Sequence, residues 1–237
     1  TAYAQRAKAL GVTFYTGTPV TGIRCNGAIK TIETPQGDFE TPTVVLAAGP
    51  WTHALGKMLG VQFPYEISKH KVLTLKIDQP YEKEWPIVKD LLTPEKIYFR
   101  PDSGGVVLVG TGDHGDPLET IEKLTDEVEI EHIERIGKRM ANRMPAFAEA
   151  QLVRSWTGAY DIPPDWCPII GPVSELDGVH VAVGFSGHGF KLAPTIGEAL
   201  AQQILGTEPR VPIEMYDMTR FETGKTLHGA YGIGTLA

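Results

Sequence analysis

The residues GFSGHGFK (Gly184–Lys191) place three glycines, a histidine and a lysine within one short stretch. The apolar run VHVAV (Val179–Val183) precedes them and LAPTIGEALAQQIL (Leu192–Leu205) follows, a pattern that predicts a strand passing into a helix through a glycine-rich turn. Glycine admits positive φ and lets the backbone come close to a ligand. The amides that open the helix carry partial positive charge, and Lys191 adds a full one. An anion, or a carbonyl oxygen that gains negative charge, would be stabilised there. The same residues would also serve a turn that only packs tightly, and an isolated glycine motif does not decide between the two.

Two other stretches have the same character. VVLAAGPW (Val44–Trp51) ends an apolar strand in small residues and an aromatic. In open α/β sheets ligands lie beyond the carboxyl ends of strands, where Ala47, Ala48 and Gly49 would leave room for a cofactor backbone. WTGAYDIPPDWCPIIGP (Trp156–Pro172) reads as a fixed proline turn feeding a further strand. TGDHGD places Asp113 and His114 close together, and a metal site there is a weaker alternative because no further ligands cluster nearby.

The elements that must position these residues can be read from periodicity. Ala2–Leu10 reads as a helix closed by Gly11, and Val12–Val20 as a strand. A meander follows, with turns at Asn26-Gly27 and Pro35–Gly37. Thr43–Gly49 reads as a strand buried on both faces, followed by a helix near Thr52–Leu59. His70–Ile77, Ile97–Arg100 and Val106–Gly110 predict a more open sheet, with an irregular Pro80–Pro94 between them. Asp126–Arg143 reads as a helix with an acidic start, buried through Val128, Ile133, Ile136 and Met140 and stopped by Pro145. Gln151–Ile162 is strand-like, and the tail after Gly206 reads as irregular and loosely held.

Composition narrows the function classes. The chain has 237 residues, 42% of them apolar, and a net charge of −7, which removes the basic footprint of a nucleic-acid binder. No apolar run approaches the ~20 residues of a membrane-spanning helix, and no signal peptide is visible. Cys25 and Cys167 form neither a CxxC pair nor a metal spacing. A cytoplasmic setting is the simplest expectation, with one disulfide still possible. The chain starts at Thr1 inside a helical pattern, so a piece of a longer protein is expected.

Taken together, the three stretches resemble the FAD-dependent D-amino-acid oxidase superfamily, nearest its branch of sarcosine oxidase, glycine oxidase and related amine dehydrogenases. VVLAAGPW is similar to the family's middle FAD-contact motif, YDIPPDWCPIIGP to its PD turn and GFSGHGFKLAPTIGEALA to its C-terminal flavin motif. The resemblance implies a mixed α and β fold, α/β (α+β), with a glutathione-reductase-like FAD-binding layer that is incomplete. An antiparallel-sheet substrate domain is inserted in it. The implied division is 1–66 and 153–206 for the FAD layer, 67–152 for the substrate sheet and 207–237 for a tail. The implied activity is oxidation of the C–N bond of a sarcosine- or proline-like amine by hydride transfer to flavin. The alternatives are a non-catalytic subunit, a fragment with an incomplete FAD site, or a 2-hydroxy-acid dehydrogenase.

The resemblance also implies roles. Gly187, His188, Gly189, Phe190 and Lys191 would meet the flavin's pyrimidine edge, Ala48 and Gly49 its diphosphate and ribose, Trp51 its ring and Val20 its adenine. Lys191, which would hold the substrate carboxylate, and His188 are the candidate catalytic residues; Tyr98, Arg100, Tyr160 and His114 are further candidates for binding substrate.

Four departures qualify it. No GxGxxG occurs anywhere in the chain. The place matching the cysteine that carries covalent flavin in monomeric sarcosine oxidases is near Gly158, so the expected FAD is non-covalent. Tyr160 stands where glycine and D-amino-acid oxidases have a carboxylate-binding arginine. Val106–Gly110 lacks the lysine that sarcosine oxidases use toward oxygen, which leaves the electron acceptor open between O2 and another carrier.

Overall fold

In the computed structural model, which describes residues 2–77 and 85–228, strands from opposite ends of the chain meet in one small sheet. Helix α1 (Ala2–Ala9) closes at Gly11, whose φ of +94° is the left-handed conformation a helix end favours. The expected strand over Val12–Val20 does not form. Val12, Phe14 and Tyr15 are exposed, and β-propensity alone does not make a strand without a partner edge.

The meander is β1 (Gly22–Asn26), β2 (Ile29–Glu33) and β3 (Phe39–Thr41). Asn26 pairs with Ile29, so the first hairpin turns on Gly27-Ala28, one residue later than expected. Gly27, with φ +62°, takes the first central position, which suits a type II′ turn. Strand β4 (Val44–Leu46) is shorter than expected and is not buried on both faces, since Val45 is 42% exposed. Helix α2 (Thr52–Leu59) follows and ends at Gly60 in the left-handed region.

Strand β5 (Glu66–Lys76) is the centre of a six-stranded sheet. The sheet adds β6 (Val88–Lys89), β7 (Tyr98–Asp102), β8 (Val106–Gly110) and β9 (Asp116–Leu118). β6 falls inside the segment expected to be irregular; residues 80–84 of that segment lie outside the described residues. Helix α3 (Ile130–Arg143) starts four residues later than expected, because Asp126 instead accepts the Thr157 amide at 2.9 Å. Its Ile136 and Met140 pack with Leu73, Leu75, Phe99, Val107 and Val109 into the core of that sheet.

Strand β10 (Gln151–Ile162) pairs along the whole of β5 and carries the chain back towards β11 (Ile169–Pro172) and β12 (Val179–Val183). β12 runs antiparallel to β11 and parallel to β4, with Val179 opposite Val44 and Val181 opposite Leu46. This parallel pair joins the early and late parts of the chain as the three stretches required. A second core lies under it, with Leu46, Phe63, Ile67, Ile169, Val181 and Val183. β5 therefore bridges two cores, and its polar residues Ser68 and His70 are buried between them.

Helix α4 (Gly189–Ile204) begins three residues earlier than expected. It packs on β11 through Ala199 and Leu200, which meet Ile170 and Ile213. The tail is anchored at Arg220. Arg220 is 5% exposed, and its guanidinium donates to both Asp165 carboxylate oxygens, at 2.8 and 3.0 Å. Residues 229–237, the final GAYGIGTLA, lie outside the described residues.

Candidate functional site

The turn from β12 to α4 holds three left-handed residues in four: Gly184 (φ +77°), Ser186 (φ +48°) and Gly187 (φ +83°). A carboxylate from the neighbouring strand fixes this conformation. Gly184 N–H donates to Asp161 Oδ2 at 2.8 Å, and Ser186 N–H donates to the Asp161 carbonyl at 3.1 Å. Burial pushes the Asp161 carboxyl above its ordinary range, against the opposing pull of the Gly184, Asp161 and Phe185 amides. The glycines are also required by space. A Cβ on Gly184 would lie 2.4 Å from the Pro163 ring, and one on Gly187 would lie 2.5 Å from the Tyr160 ring.

Beside the turn lies a cavity of about 520 Å³. Small residues dominate its wall, among them Ala47, Gly49, Ala159, Ala182, Gly187 and Gly189, and Asp161 is the one charged lining group among the described residues. Among the described residues no side chain caps α4, so the amides of Gly189, Phe190 and Lys191 open the helix with partial positive charge. Thr52 and Ser186, both fully buried, have hydroxyl oxygens with no hydrogen-bond partner among the described residues. Ser186 belongs to the glycine stretch expected to meet the cofactor, and Thr52 directly follows the other, Val44–Trp51. Small walls, a helix N-terminus and unpartnered polar atoms fit the ring end of FAD. They do not include a diphosphate loop.

On the other side of the turn stands an aromatic cluster. The Tyr160 ring lies across Gly187 and stacks on His70, with centroids 3.8 Å apart. Tyr98 lies across Gly110, close enough to Tyr160 to act on its phenol. Burial first, then Tyr98, pushes the Tyr160 phenol up. His70 Nε2 shares a 3.2 Å hydrogen bond with Ser68 Oγ, whose hydroxyl donates to the His114 carbonyl. Burial brings His70 down to about 4, so it is neutral at physiological pH.

The expected residues separate into groups. Gly187, Gly189 and Phe190 line the cavity, as does Gly49, while Phe190 is 98% exposed and Trp51 is also largely exposed. Ala48 precedes Gly49 at the head of the same turn, and Val20 is half-buried against the core beneath β4. His188 is buried, with Nδ1 at 3.1 Å from the Phe185 carbonyl oxygen. Burial, then the charges of Lys191 and Lys89, bring its imidazole down. Lys191 is the exposed third residue of α4. Tyr98 and Tyr160 come together, whereas Arg100 donates to the Pro101 carbonyl at 3.1 Å and pairs with Asp102 at 3.2 Å.

His114 packs edge-on against Trp166, at 5.0 Å, in a second cavity of about 460 Å³ that also includes His53 and Tyr65. Among the described residues no group of three or more His, Cys, Asp or Glu is placed to hold a metal. Both cysteines are free. No described helix is long and apolar enough to cross a membrane.

Three residues were not singled out from the sequence. Asp161 pins the turn, His70 supports Tyr160, and Lys89 stands opposite Tyr98 in the β6–β7 pair. Asp161 had one visible signal, the lone carboxylate of its strand, placed just before Pro163-Pro164. Lys89 had none, since its place depends on β6 pairing with β7.

Comparison with known proteins agrees with this geometry. The family described as FAD dependent oxidoreductase matches residues 1–203. Mitochondrial sarcosine dehydrogenase of Homo sapiens is 31% identical over 96% of this chain, which spans 26% of the human protein. The crystal structure of L-proline dehydrogenase from P. horikoshii superposes with a TM-score of 0.84 at 29% identity, covering 94% of this chain and 59% of that one. Glycine oxidase from Geobacillus kaustophilus gives a TM-score of 0.77 at 25% identity, covering 92% and 56%. The chain thus spans about a quarter of the human relative and little more than half of each solved structure.

Proposed function

The chain belongs to the FAD dependent oxidoreductase family, and on that premise we propose that it forms the substrate-facing part of an enzyme that oxidises the C–N bond of a small amino acid or secondary amine. The observation that carries this reading is the turn at Gly184–Gly187. Asp161 locks it, α4 opens directly from it, and the Tyr98–Tyr160 pair walls the opposite side. The names of the human and P. horikoshii relatives, a sarcosine dehydrogenase and an L-proline dehydrogenase, favour a secondary amine.

When bound, FAD supplies the two-electron acceptor for oxidation of the carbon beside the substrate nitrogen. The chain's own residues bind, orient and exclude water. The amides of Gly189, Phe190 and Lys191 present fixed positive dipoles where negative charge builds up, with no reorganisation needed during the reaction. Lys191 Nζ draws the substrate carboxylate to the mouth of the turn. Tyr98 and Tyr160, with buried His70 behind them, form a dry wall that fixes how the amine approaches. A substrate amine that binds neutral needs no side-chain base, and the buried ring of His188 stays neutral beside two lysines.

The test uses the full-length protein carrying FAD, with sarcosine, L-proline and small 2-hydroxy acids offered under both O2 and an artificial electron acceptor. Amine turnover, with Lys191→Met raising KM roughly ten-fold or more, is the expected result. Turnover of hydroxy acids alone, or a protein that binds no flavin, would replace this reading with the hydroxy-acid or the non-catalytic one. Comparing the two acceptors separates oxidase from dehydrogenase.

A further inference from the structure

The stretch that ends at Trp51 enters helix α2 without a cap of its own. Trp51 stands at the N-cap position, where Ser, Thr, Asp or Asn would supply an acceptor, and its indole makes no capping bond. The opening amides are satisfied in another way. Trp51 N–H donates to the Ala48 carbonyl at 3.2 Å, and Thr52 N–H donates to the Gly49 carbonyl. His53 N–H donates to the hydroxyl of Tyr65, 12 residues further on, at 2.8 Å.

Tyr65 returns the bond to the turn before the helix. Its hydroxyl donates towards the Pro50 carbonyl at 3.1 Å, with the Gly49 carbonyl at 3.4 Å. One phenol thus accepts from the helix and donates to its approach, the kind of reciprocal bonding found in a capping box. Its ring stacks on His53, with centroids 3.8 Å and planes 10° apart. His53 Nε2 lies 3.2 Å from the Phe63 carbonyl oxygen, which ties α2 back to the segment that carries Tyr65. Gly56 brings the rest of α2 against the same segment. A Cβ there would lie 2.6 Å from the Val61 carbonyl oxygen and 3.0 Å from the Phe63 ring.

This clasp stands behind the cavity wall. Gly49, with φ +53°, lines the cavity, and Tyr65 is buried in the core with Leu46 and Val183. The turn Gly49–Trp51 lies against β10 and β12, whose Ala159, Asp161 and Ala182 line the same cavity. Asp161 therefore holds one turn of the cavity and Tyr65 the other. Burial pushes the Tyr65 phenol up, against the pull of the His53 amide, so the hydroxyl keeps the proton it donates.

We propose that Tyr65 is a positioning residue for FAD, whose hydroxyl holds the Gly49–Trp51 turn in the shape that receives the cofactor. An amide already held by a phenol is not offered to an anion. The two helix starts therefore differ in role: α2 shapes the wall, and α4 supplies the dipoles. The inference concerns the cofactor and goes beyond the reading of the substrate, since it holds for an amine and a hydroxy acid alike.

The experiment measures the Kd of FAD for the full-length protein, first freed of flavin, in wild type and in Tyr65→Phe. Phenylalanine keeps a ring on His53 and removes one oxygen, which leaves the His53 amide and the Pro50 carbonyl without that partner. FAD should bind roughly ten-fold more weakly or worse, and the visible absorbance of the bound flavin should change in fine structure. The urea midpoint of the flavin-free protein is measured beside it. Phe147→Leu, in the core of the six-stranded sheet, lowers that midpoint away from the turn and should leave the Kd within about two-fold of wild type.

A Tyr65→Phe protein that binds FAD within about two-fold of wild type overturns the proposal whatever its midpoint, because a cap that only stabilises the fold leaves the affinity of the folded protein unchanged. An equal loss of affinity in Phe147→Leu overturns it too, since FAD binding would then merely follow stability. If Tyr65→Phe does not fold, His53→Ala provides the test. It removes the stacked ring and the bond to Phe63 but keeps the amide, and should weaken FAD binding by roughly three-fold or more. An unchanged Kd in that variant again overturns the proposal.

Discussion

The Asp161 carboxylate, on the last turn of pairing in β10, accepts the Gly184 amide at 2.8 Å, where β12 ends. One buried side chain thus ties the long strand of the six-stranded sheet to the glycine turn that opens α4. The bond holds the turn in a conformation that is otherwise disfavoured at Ser186, a residue with a Cβ and a φ of +48°. Asp161→Ala would leave buried backbone donors without an acceptor. The expected loss is about 1–3 kcal/mol in chemical denaturation, with weaker FAD binding by the full-length protein. Asp161→Asn keeps one acceptor oxygen and should lose less. An alanine variant within about 0.5 kcal/mol of wild type would show that the turn holds itself.

Gly187 combines two demands on one position. Its φ is +83°, and a Cβ there would meet the Tyr160 ring at 2.5 Å. Gly187→Ala should cost about 1–2 kcal/mol for the backbone alone, with a steric cost in addition. In a Tyr160→Ala background the steric part disappears, so the same substitution should be milder by roughly 1 kcal/mol or more. Equal penalties in both backgrounds would mean that Tyr160 moves aside freely.

The glycine turn, Thr52–Leu59, Val106–Gly110 and Gln151–Ile162 were legible because each carries its own local signal: helical or strand periodicity, or glycines followed by an apolar run. That strands from both ends of the chain share a layer was legible from the pattern of elements, but the pairing of β4 with β12 was not, since parallel neighbours separated by more than half the chain leave no local mark. Val12–Val20 misled because β-branched and aromatic residues report suitability for a strand and not the presence of a partner. The tail misled for the opposite reason. Arg220 reads as an ordinary surface cation in sequence, and its partner Asp165 lies in a different turn. Lys89 and His70 escaped notice because cross-strand register, not residue type, brings them to Tyr98 and Tyr160.

His70 should make stability fall as the solution is acidified. Its imidazole goes from 6.5 to about 4 on folding because burial penalises the charged ring. The unfolded chain therefore takes up the proton first. The stabilisation is fully present above pH 6.5 and is lost as pH falls through the window down to about 4. The whole contribution is about 3 kcal/mol, of which about 2 kcal/mol is gone by pH 5. His70→Phe keeps a ring against Tyr160 without a titrating group. Urea denaturation at pH 7.5 and pH 5 should show a smaller difference in this variant than in wild type. An identical difference would place the acid sensitivity elsewhere.

The buried pair of Asp165 and Arg220 should be the strongest single link between the C-terminal segment and the rest of the fold. Arg220 reaches both Asp165 oxygens and also donates to the Cys167 and Tyr216 carbonyls, at 2.8 and 2.7 Å. Burial alone would push the Asp165 carboxyl up, yet Arg220, with the Leu227 and Cys167 amides, holds it below its ordinary value. Arg220→Ala removes the cation and leaves a buried carboxylate with only those two amides. Breaking one partner of such a pair costs about 3–5 kcal/mol, whereas replacing both by apolar groups of similar size is often near neutral. Arg220→Met should therefore destabilise severely, and Asp165→Leu combined with Arg220→Met should recover much of the loss. The single variant should also expose the segment after Gly206 to proteolysis. If the double variant is no more stable than the single, the role of Asp165 lies in holding the amides of Cys167 and Leu227 rather than in balancing the arginine.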